Sequence, residues 1–359
     1  MNEIIRGNKG EWSELYVLLR LLADGQLDTG DEDLNIIEDS YMPVLSIFRK
    51  LKDNGKVEYK VCTNNIELYL NDIKIKTITS IILDKYANEL LEAIIKGPIG
   101  KNQNSFEIEL AYPVMDDLKC DRLKAPSTDK TDILINIYDR MTSISSIVGY
   151  SIKSHIGGPP HILNASAATN FRYNIIDITD EEMEYINNIN TRTKIIDRIN
   201  AIGERIRFDK VINDTFSGNL MLVDSMMPEI LSYMLAKSYC GGMNKISDLV
   251  NWIEDKDPIR YSRRGIYTYK IKKLLTAIAL GMKPSKLWDG LDEANGGYIT
   301  VKTDGEVVAF HLYNRNVFEN YLLKHTKFER GKTGRHKYAS IYKTDDKYYI
   351  NLNFAVRFL

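Results

Sequence analysis

The sequence predicts a mixed α/β protein: a mixed central sheet flanked by helices, then a C-terminal helical and β-hairpin extension. Three observations predict it. Apolar residues recur at helical spacing in Glu11–Leu22 (Trp12, Leu15, Leu18, Leu19, Leu22). Short alternating apolar runs bounded by turn residues follow, from Val57 to Lys153. After about residue 226 three helical segments give way, at Asn295-Gly296-Gly297, to strands again. A period near 3.6 marks a helix face and a period of 2 marks a half-buried strand. A chain of 359 residues exceeds the usual single core, so two or three substructures are expected. The breaks fall after 220 and 297.

The elements run in order. After the first helix, the acidic stretch Asp28–Asp39 reads as a solvated loop merging into a helix. Val57–Cys62, Ile66–Leu70 and Ile73–Ile75 read as strands, and Leu83–Lys96 as a helix stopped by Gly97-Pro98. Phe106–Leu110, Asp132–Ile137 and Ile147–Lys153 read as strands, the last two paired across the turn Asp139–Ser143. Helices are expected near 181–188 and 193–206, then at 227–239, 245–256 and 265–282. Strands are expected at 298–302 and 306–313, a helix at 316–324, and a final strand pair around Asp345-Asp346.

Composition excludes several classes. Forty-eight Lys plus Arg against 49 Asp plus Glu give a net charge of −1, which argues against a blanket polycation. Nucleic-acid binding then depends on where the positive charge sits. Cys62, Cys120 and Cys240 form no paired framework, as in a reduced cytosolic protein. The start, MNEIIRGNKGEWSE, has no apolar run of the secretory kind, and no window approaches the ~18 apolar residues of a membrane span. A cytoplasmic protein is expected. The five histidines show no metal-ligand spacing, and no GxGxxG or P-loop occurs.

Two polar residues disturb the strand pattern. Asp132 opens one strand, and Lys153 stands where the alternation of the next calls for an inward apolar residue. On paired strands the two would end at one sheet edge. A carboxylate there can hold Mg²⁺ through hard oxygen ligands. Such an ion polarises a phosphoryl oxygen and acidifies a bound water, and a nearby ammonium stabilises developing charge. Residues i and i+2 of a strand share a face roughly 6.6 Å apart, so Ser151 and Lys153 look into the same site. Ile152 between them points its side chain into the core and leaves its carbonyl for a metal. From the residues alone, Lys153 reads equally as a snorkelling edge lysine and Asp132 as a strand-start Asp.

This layout resembles the PD-(D/E)xK nuclease superfamily, with the acid of its acid-x-Lys triplet replaced by Ser151. Five stretches carry a closer resemblance, to the HpaII-type restriction endonucleases. They are GNKGEWSELY (7–16), STDKTDI (127–133), GYSIKSHIGGPPHILNASAATNF (149–171), FSGNLMLVDSMMPEIL (216–231) and RHKYASIYKTDDKYYINLNFAVRF (335–358), spread from end to end of the chain. The resemblance implies a restriction-endonuclease-like core over 1–220, a helical segment over 221–297 and a basic β-rich recognition segment over 298–359. It implies Mg²⁺-dependent hydrolysis of both strands of double-stranded DNA at a short palindrome, CCGG for the family's namesake. It makes Asp132 a metal ligand and Lys153 the charge stabiliser or water-orienting group. Glu14 on the first helix becomes the second acid, with Glu11 as fallback, and Ser151 takes the usual acid's place. A cognate DNA methyltransferase is implied as well.

DNA contacts are expected from Lys130, from Ser154, Asn164, Ser166, Thr169 and Asn170 after the lysine, and from Arg335, His336 and Lys337. Arginine and lysine suit guanine edges, and asparagine suits adenine edges or backbone. A second basic cluster, Arg260, Arg263, Arg264, Lys270, Lys272 and Lys273, reads either as a phosphate contact or as a solvated face. A palindromic site matches a two-fold homodimer, and a monomer nicking each strand in turn stays open. Two other readings stay open too: a structure-specific or repair nuclease on the same scaffold, and a DNA-binding protein made inactive by the missing acid at Ser151.

Overall fold

The structure, a computed structural model, describes residues 4–53, 55–98, 105–125, 131–140, 142–191, 193–330 and 338–359. In chain order the elements are α1 (Lys9–Asp24), β1 (Gln26–Gly30), β2 (Ile36–Lys50), β3 (Lys56–Val61), β4 (Asn65–Leu70), β5 (Ile73–Thr79), α2 (Ser80–Lys96), α3 (Tyr112–Asp117), β6 (Ile133–Asp139), β7 (Ile144–Ser154), β8 (His161–Leu163) and β9 (Asn170–Ile175). They continue with α4 (Asp180–Asn188), α5 (Lys194–Ile202), β10 (Ile206–Val211), α6 (Asp214–Val223), α7 (Met227–Tyr239), α8 (Ile246–Lys256), α9 (Ile266–Leu280), β11 (Gly297–Val301) and β12 (Val307–His311). The last are α10 (Arg315–His325), β13 (Thr326–Phe328), β14 (Ile341–Thr344), β15 (Lys347–Asn353) and β16 (Val356–Phe358). The chain is mixed α/β, with a central sheet and flanking helices.

It divides into two compact units: 1–160 with 293–318, and 161–292 with 319–359. These boundaries differ from the expected breaks after 220 and 297. The reason lies in β-pairing. β11 pairs parallel with β7, Ile299 opposite Ile152, and antiparallel with β12, so the segment expected in a C-terminal extension completes the first sheet.

The first unit holds a nine-stranded sheet in the order β1-β12-β11-β7-β6-β2-β3-β4-β5. An additional β1–β2 pairing closes β1, β12, β11, β7, β6 and β2 into a six-stranded ring. Helix α1 packs on β1, β2, β7 and α2. It starts at a capping box, in which Asn8 and Glu11 exchange side-chain bonds with each other's backbone N–H groups. It ends at Gly25, whose φ of 66° is the left-handed form that a glycine adopts without strain. Trp12, Leu15, Leu18, Leu19 and Leu22 of α1 are buried with Ile47, Ile135, Tyr150, Ile152 and Ile299 of the sheet in one core.

Two local expectations fail. The acidic stretch 28–39 is not loop and helix but the β1–β2 hairpin. Asp31 bonds the N–H groups of Asp33 and Asn35 in its turn, and Tyr41 pairs with Asp28. Residues 106–110 form no strand. Phe106 makes an isolated bridge to Gly7, its carbonyl takes the Trp12 indole N–H at 3.1 Å, and a single turn over Glu109–Ala111 leads into α3.

The second unit holds a four-stranded sheet, β10-β9-β15-β14, and a three-stranded sheet, β13-β16-β8, with helices α4–α9. The expected hairpin around Asp345-Asp346 is β14–β15, with Thr344 opposite Lys347. Phe171, Phe216, Phe328 and Phe354 form one aromatic cluster there.

Candidate active site

The site grows from the β6–β7 hairpin. The two strands pair antiparallel from Ile133–Tyr150 to Asp139–Ile144, so Asp132 stands at the open end beside Ser151. The Asp132 N–H donates to the Tyr150 carbonyl at 3.0 Å. The Ser151 hydroxyl donates to Asp132 Oδ2 at 3.1 Å, and the Ile152 N–H donates to the same oxygen at 2.6 Å. No hydrogen bond from the described residues falls on Oδ1. Two donors on one oxygen fix the plane of the carboxylate.

A glycine permits this approach. A Cβ on Gly149 would lie 2.3 Å from Thr131 Cγ2, so a side chain there would push away the residue that precedes Asp132. Tyr150 and Ile152 are the inward residues of this strand end. Lys153 therefore lies not on the core face, as its place in the alternation suggests, but on the Ser151 face. It is half-buried, and with the described residues it makes no hydrogen bond or ion pair.

Helix α1 brings the third group. Ser13, fully buried, donates to Ser154 Oγ at 2.8 Å, which ties α1 to the end of β7 one residue beyond Lys153. The next residue of the helix is Glu14. Its Oε2 is buried and has no hydrogen-bond partner among the described residues. Loss of water pushes the Glu14 carboxyl up to about 8, and the negative charge of Asp132 adds to the rise. The positive charges of Arg49 and Lys153 and the Ala125 N–H oppose it. Glu14 thus feels Asp132, Arg49 and Lys153. Glu11 is engaged elsewhere: its two oxygens take the Asn8 N–H at 2.9 Å and the Lys124 ammonium at 2.5 Å.

The DNA-facing expectations divide. Ser154 is bonded to Ser13 and takes the Ile156 N–H at 3.3 Å. Thr169 and Asn170 are buried in the second unit, where the Asn353 amide donates to both and to the Ser166 carbonyl. A buried amide seeks every partner it can reach, so this network ties β9 to β15 inside the second unit. Ser166 caps the short turn 167–169, and Asn164 is exposed. Lys130, Arg335, His336 and Lys337 lie outside the described residues. In the other basic cluster Arg264 pairs with Asp255, Lys270 with Asp224 and Lys273 with Glu319, leaving Arg260 and Arg263 as its exposed unpaired cations among the described residues.

Sequence reasoning missed Ser13 and Arg49. Ser13 lies on the apolar face of an amphipathic helix, and its small polar side chain between Trp12 and Leu15 was the available signal. Arg49 falls inside an apolar strand, and its guanidinium donates to the Arg122 and Leu123 carbonyls at 2.9 and 3.1 Å. Among the described residues no three His, Cys, Asp or Glu side chains gather as a metal cage. The donors present still suit a hard divalent cation: one carboxylate oriented through a single oxygen, and one buried carboxylate oxygen without a partner.

The family profile described as HpaII restriction endonuclease matches residues 8–358. The curated relative "Type II restriction enzyme HpaII" of Haemophilus parainfluenzae is 39% identical over 364 residues, covering 100% of both chains. No solved structure matches the chain. Asp132 at a strand end and Glu14 on the adjoining helix are thus two acids in one electrostatic neighbourhood with Lys153, and the sequence relationship gives the class. The chain belongs to the HpaII restriction endonuclease family. It is a type II restriction enzyme, a site-specific deoxyribonuclease. No helix among the described residues is long and apolar enough to cross a membrane.

Proposed function

We propose that the chain hydrolyses phosphodiester bonds in both strands of double-stranded DNA at a short palindrome, with CCGG as the first candidate, and that Mg²⁺ is its cofactor. The observation that carries this reading is the buried Glu14 oxygen near Asp132 and Lys153, without a hydrogen-bond partner among the described residues. Burial and the charge of Asp132 make it costly to ionise Glu14, and a cation held between the two would offset that cost. Asp132 and Glu14 would hold the cation, with the Ile152 carbonyl as a third ligand. The chemistry a divalent cation supplies at such a site is polarisation of a phosphoryl oxygen and a more acidic bound water.

The residues of the chain do the rest. Ser151 and the Ile152 N–H orient Asp132. The Lys153 ammonium, uncommitted to other described groups, stabilises the charge that develops on the scissile phosphate. We read this as a PD-(D/E)xK-like core in which a helix-borne glutamate supplies the acid missing at Ser151. A symmetric site favours a homodimer. The cytoplasm, and a methyltransferase protecting the host's copies of the site, complete the reading. Digestion of a fully sequenced DNA with Mg²⁺, followed by end mapping, tests it. Discrete ends at one palindrome are expected, and cutting confined to branched or damaged substrates would contradict it.

A further inference from the structure

Asp132 opens onto a cavity of about 580 Å³, lined within the first unit. Its floor is apolar and aromatic: Phe48, Leu134 and Ile147, on neighbouring strands β2, β6 and β7. Leu134 is 39% exposed and Ile147 54% exposed, although both belong to central strands. Its wall is cationic: Arg49, Lys50, Lys56 and Arg122. Against these four stand two lining carboxylates, Asp132 and Glu293, and a third, Asp121, that pairs with Arg122 at 3.4 Å. A chain of net charge −1 has therefore gathered a positive excess beside the residue that marks its reaction site. Lys56 already lies over the Phe48 ring, its ammonium 4.7 Å from the centroid, so the cationic wall and the aromatic floor meet.

Solvent-exposed apolar side chains at the centre of a sheet mark a surface meant for a partner. The charge around them says which kind. An anion with a flat apolar part fits both features, and a nucleotide is such a group. Stacking on an aromatic ring tolerates any base, and lysine and arginine take the phosphate without reading sequence.

We propose that this cavity seats the DNA strand next to the cleaved bond. The adjoining phosphate lies against Lys50, Lys56 and Arg122, and the nucleoside lies over Phe48, Leu134 and Ile147. This inference rests on the reading of Asp132 as the cleavage site. Arg49 plays a different part. It holds the 122–123 backbone through its two carbonyl bonds and so keeps the Arg122 wall in place.

Lys50→Glu and Lys56→Glu test the seat, because both lysines are exposed and neither belongs to the catalytic group. Binding of a short labelled duplex with the palindrome, and of one without it, is measured by anisotropy in chelator between about 50 and 200 mM salt. Each reversal is expected to weaken both duplexes alike, at least ~10-fold, and to lower the log–log salt slope by about one. Ile147→Asp, an exposed change on the floor, is expected to weaken both as well. Unchanged affinity and slope in the two lysine variants would overturn the proposal. Weakening confined to the palindromic duplex would also overturn it, since backbone contacts carry no sequence preference. Cutting is read separately with metal present. Activity surviving in Asp132→Ala would defeat the catalytic reading, whereas the binding measured in chelator does not depend on it.

Discussion

A carboxyl group that loses its water and gains a charged neighbour holds its proton longer, and Glu14 does both. Its ordinary value of 4.5 is pushed up to about 8, first by burial and then by Asp132. In the unfolded chain it ionises near 4.5, so the metal-free folded state carries an extra proton between the two values. The folded state binds more protons than the unfolded one there. Stability therefore falls as pH rises through that window and levels off above about 8. Glu14→Gln removes the penalty. Thermal melts without metal should show the variant more stable than the parent above pH ~8, by a few kcal/mol at most, and equal to it below ~4.5. Identical curves at all pH values would mean that Glu14 is not buried beside Asp132. Ser151 acts on the other carboxylate. Ser151→Ala should lower cutting about 10–100-fold through a less well-held Asp132, as loss of an outer-shell partner does. Lys153→Ala should cost about 10²–10³-fold, the size expected for one preorganised charge stabiliser. Steady-state cutting rates at saturating metal check both.

At the scale of elements the site depends on three pieces: α1, the β6–β7 hairpin, and the contact that joins them. Gly149 is the narrow point. Gly149→Ala would meet Thr131 and press on the residue before Asp132. Overpacking of this kind costs about 1–3 kcal/mol, and cutting should fall further than the melting temperature alone explains. A variant with native rates would show that the hairpin end gives way freely. The pieces differ in how plainly the sequence announces them. α1 is legible because its apolar residues recur at helical spacing. β6 and β7 are legible because apolar runs flank an obvious turn, and Asp132 and Lys153 break the pattern at their ends. The β1–β2 hairpin is not legible. The first residues of β2 are exposed on both faces, so no period of two survives, and acidic side chains fill the turn. Ser13 is hidden for another reason. Its role comes from Ser154, 141 positions away, and no local period records such a pairing. Likewise the burial of Thr169 and Asn170 comes from the amide of Asn353, far along the chain, which no local pattern records.

For the whole molecule, the question is how a nearly neutral chain holds a polyanion. The second unit pairs three of the six cations of its conspicuous cluster internally, while the first lines the cavity beside Asp132 with Arg49, Lys50, Lys56 and Arg122. Placement, not net charge, then decides binding. A palindrome presents the same phosphates twice about a two-fold axis, so sedimentation with a palindromic duplex should show two chains per duplex. One chain per duplex at saturation would favour successive nicking. Beneath these expectations lies the claim that Asp132 and Glu14 share one divalent ion. Calorimetric titration of Mn²⁺ into the metal-free protein addresses it directly, with Asp132→Ala and Glu14→Gln titrated in parallel. The parent should bind the ion, and each substitution should weaken it at least ~10-fold while the variants stay folded. Equal affinity in all three proteins would contradict the account.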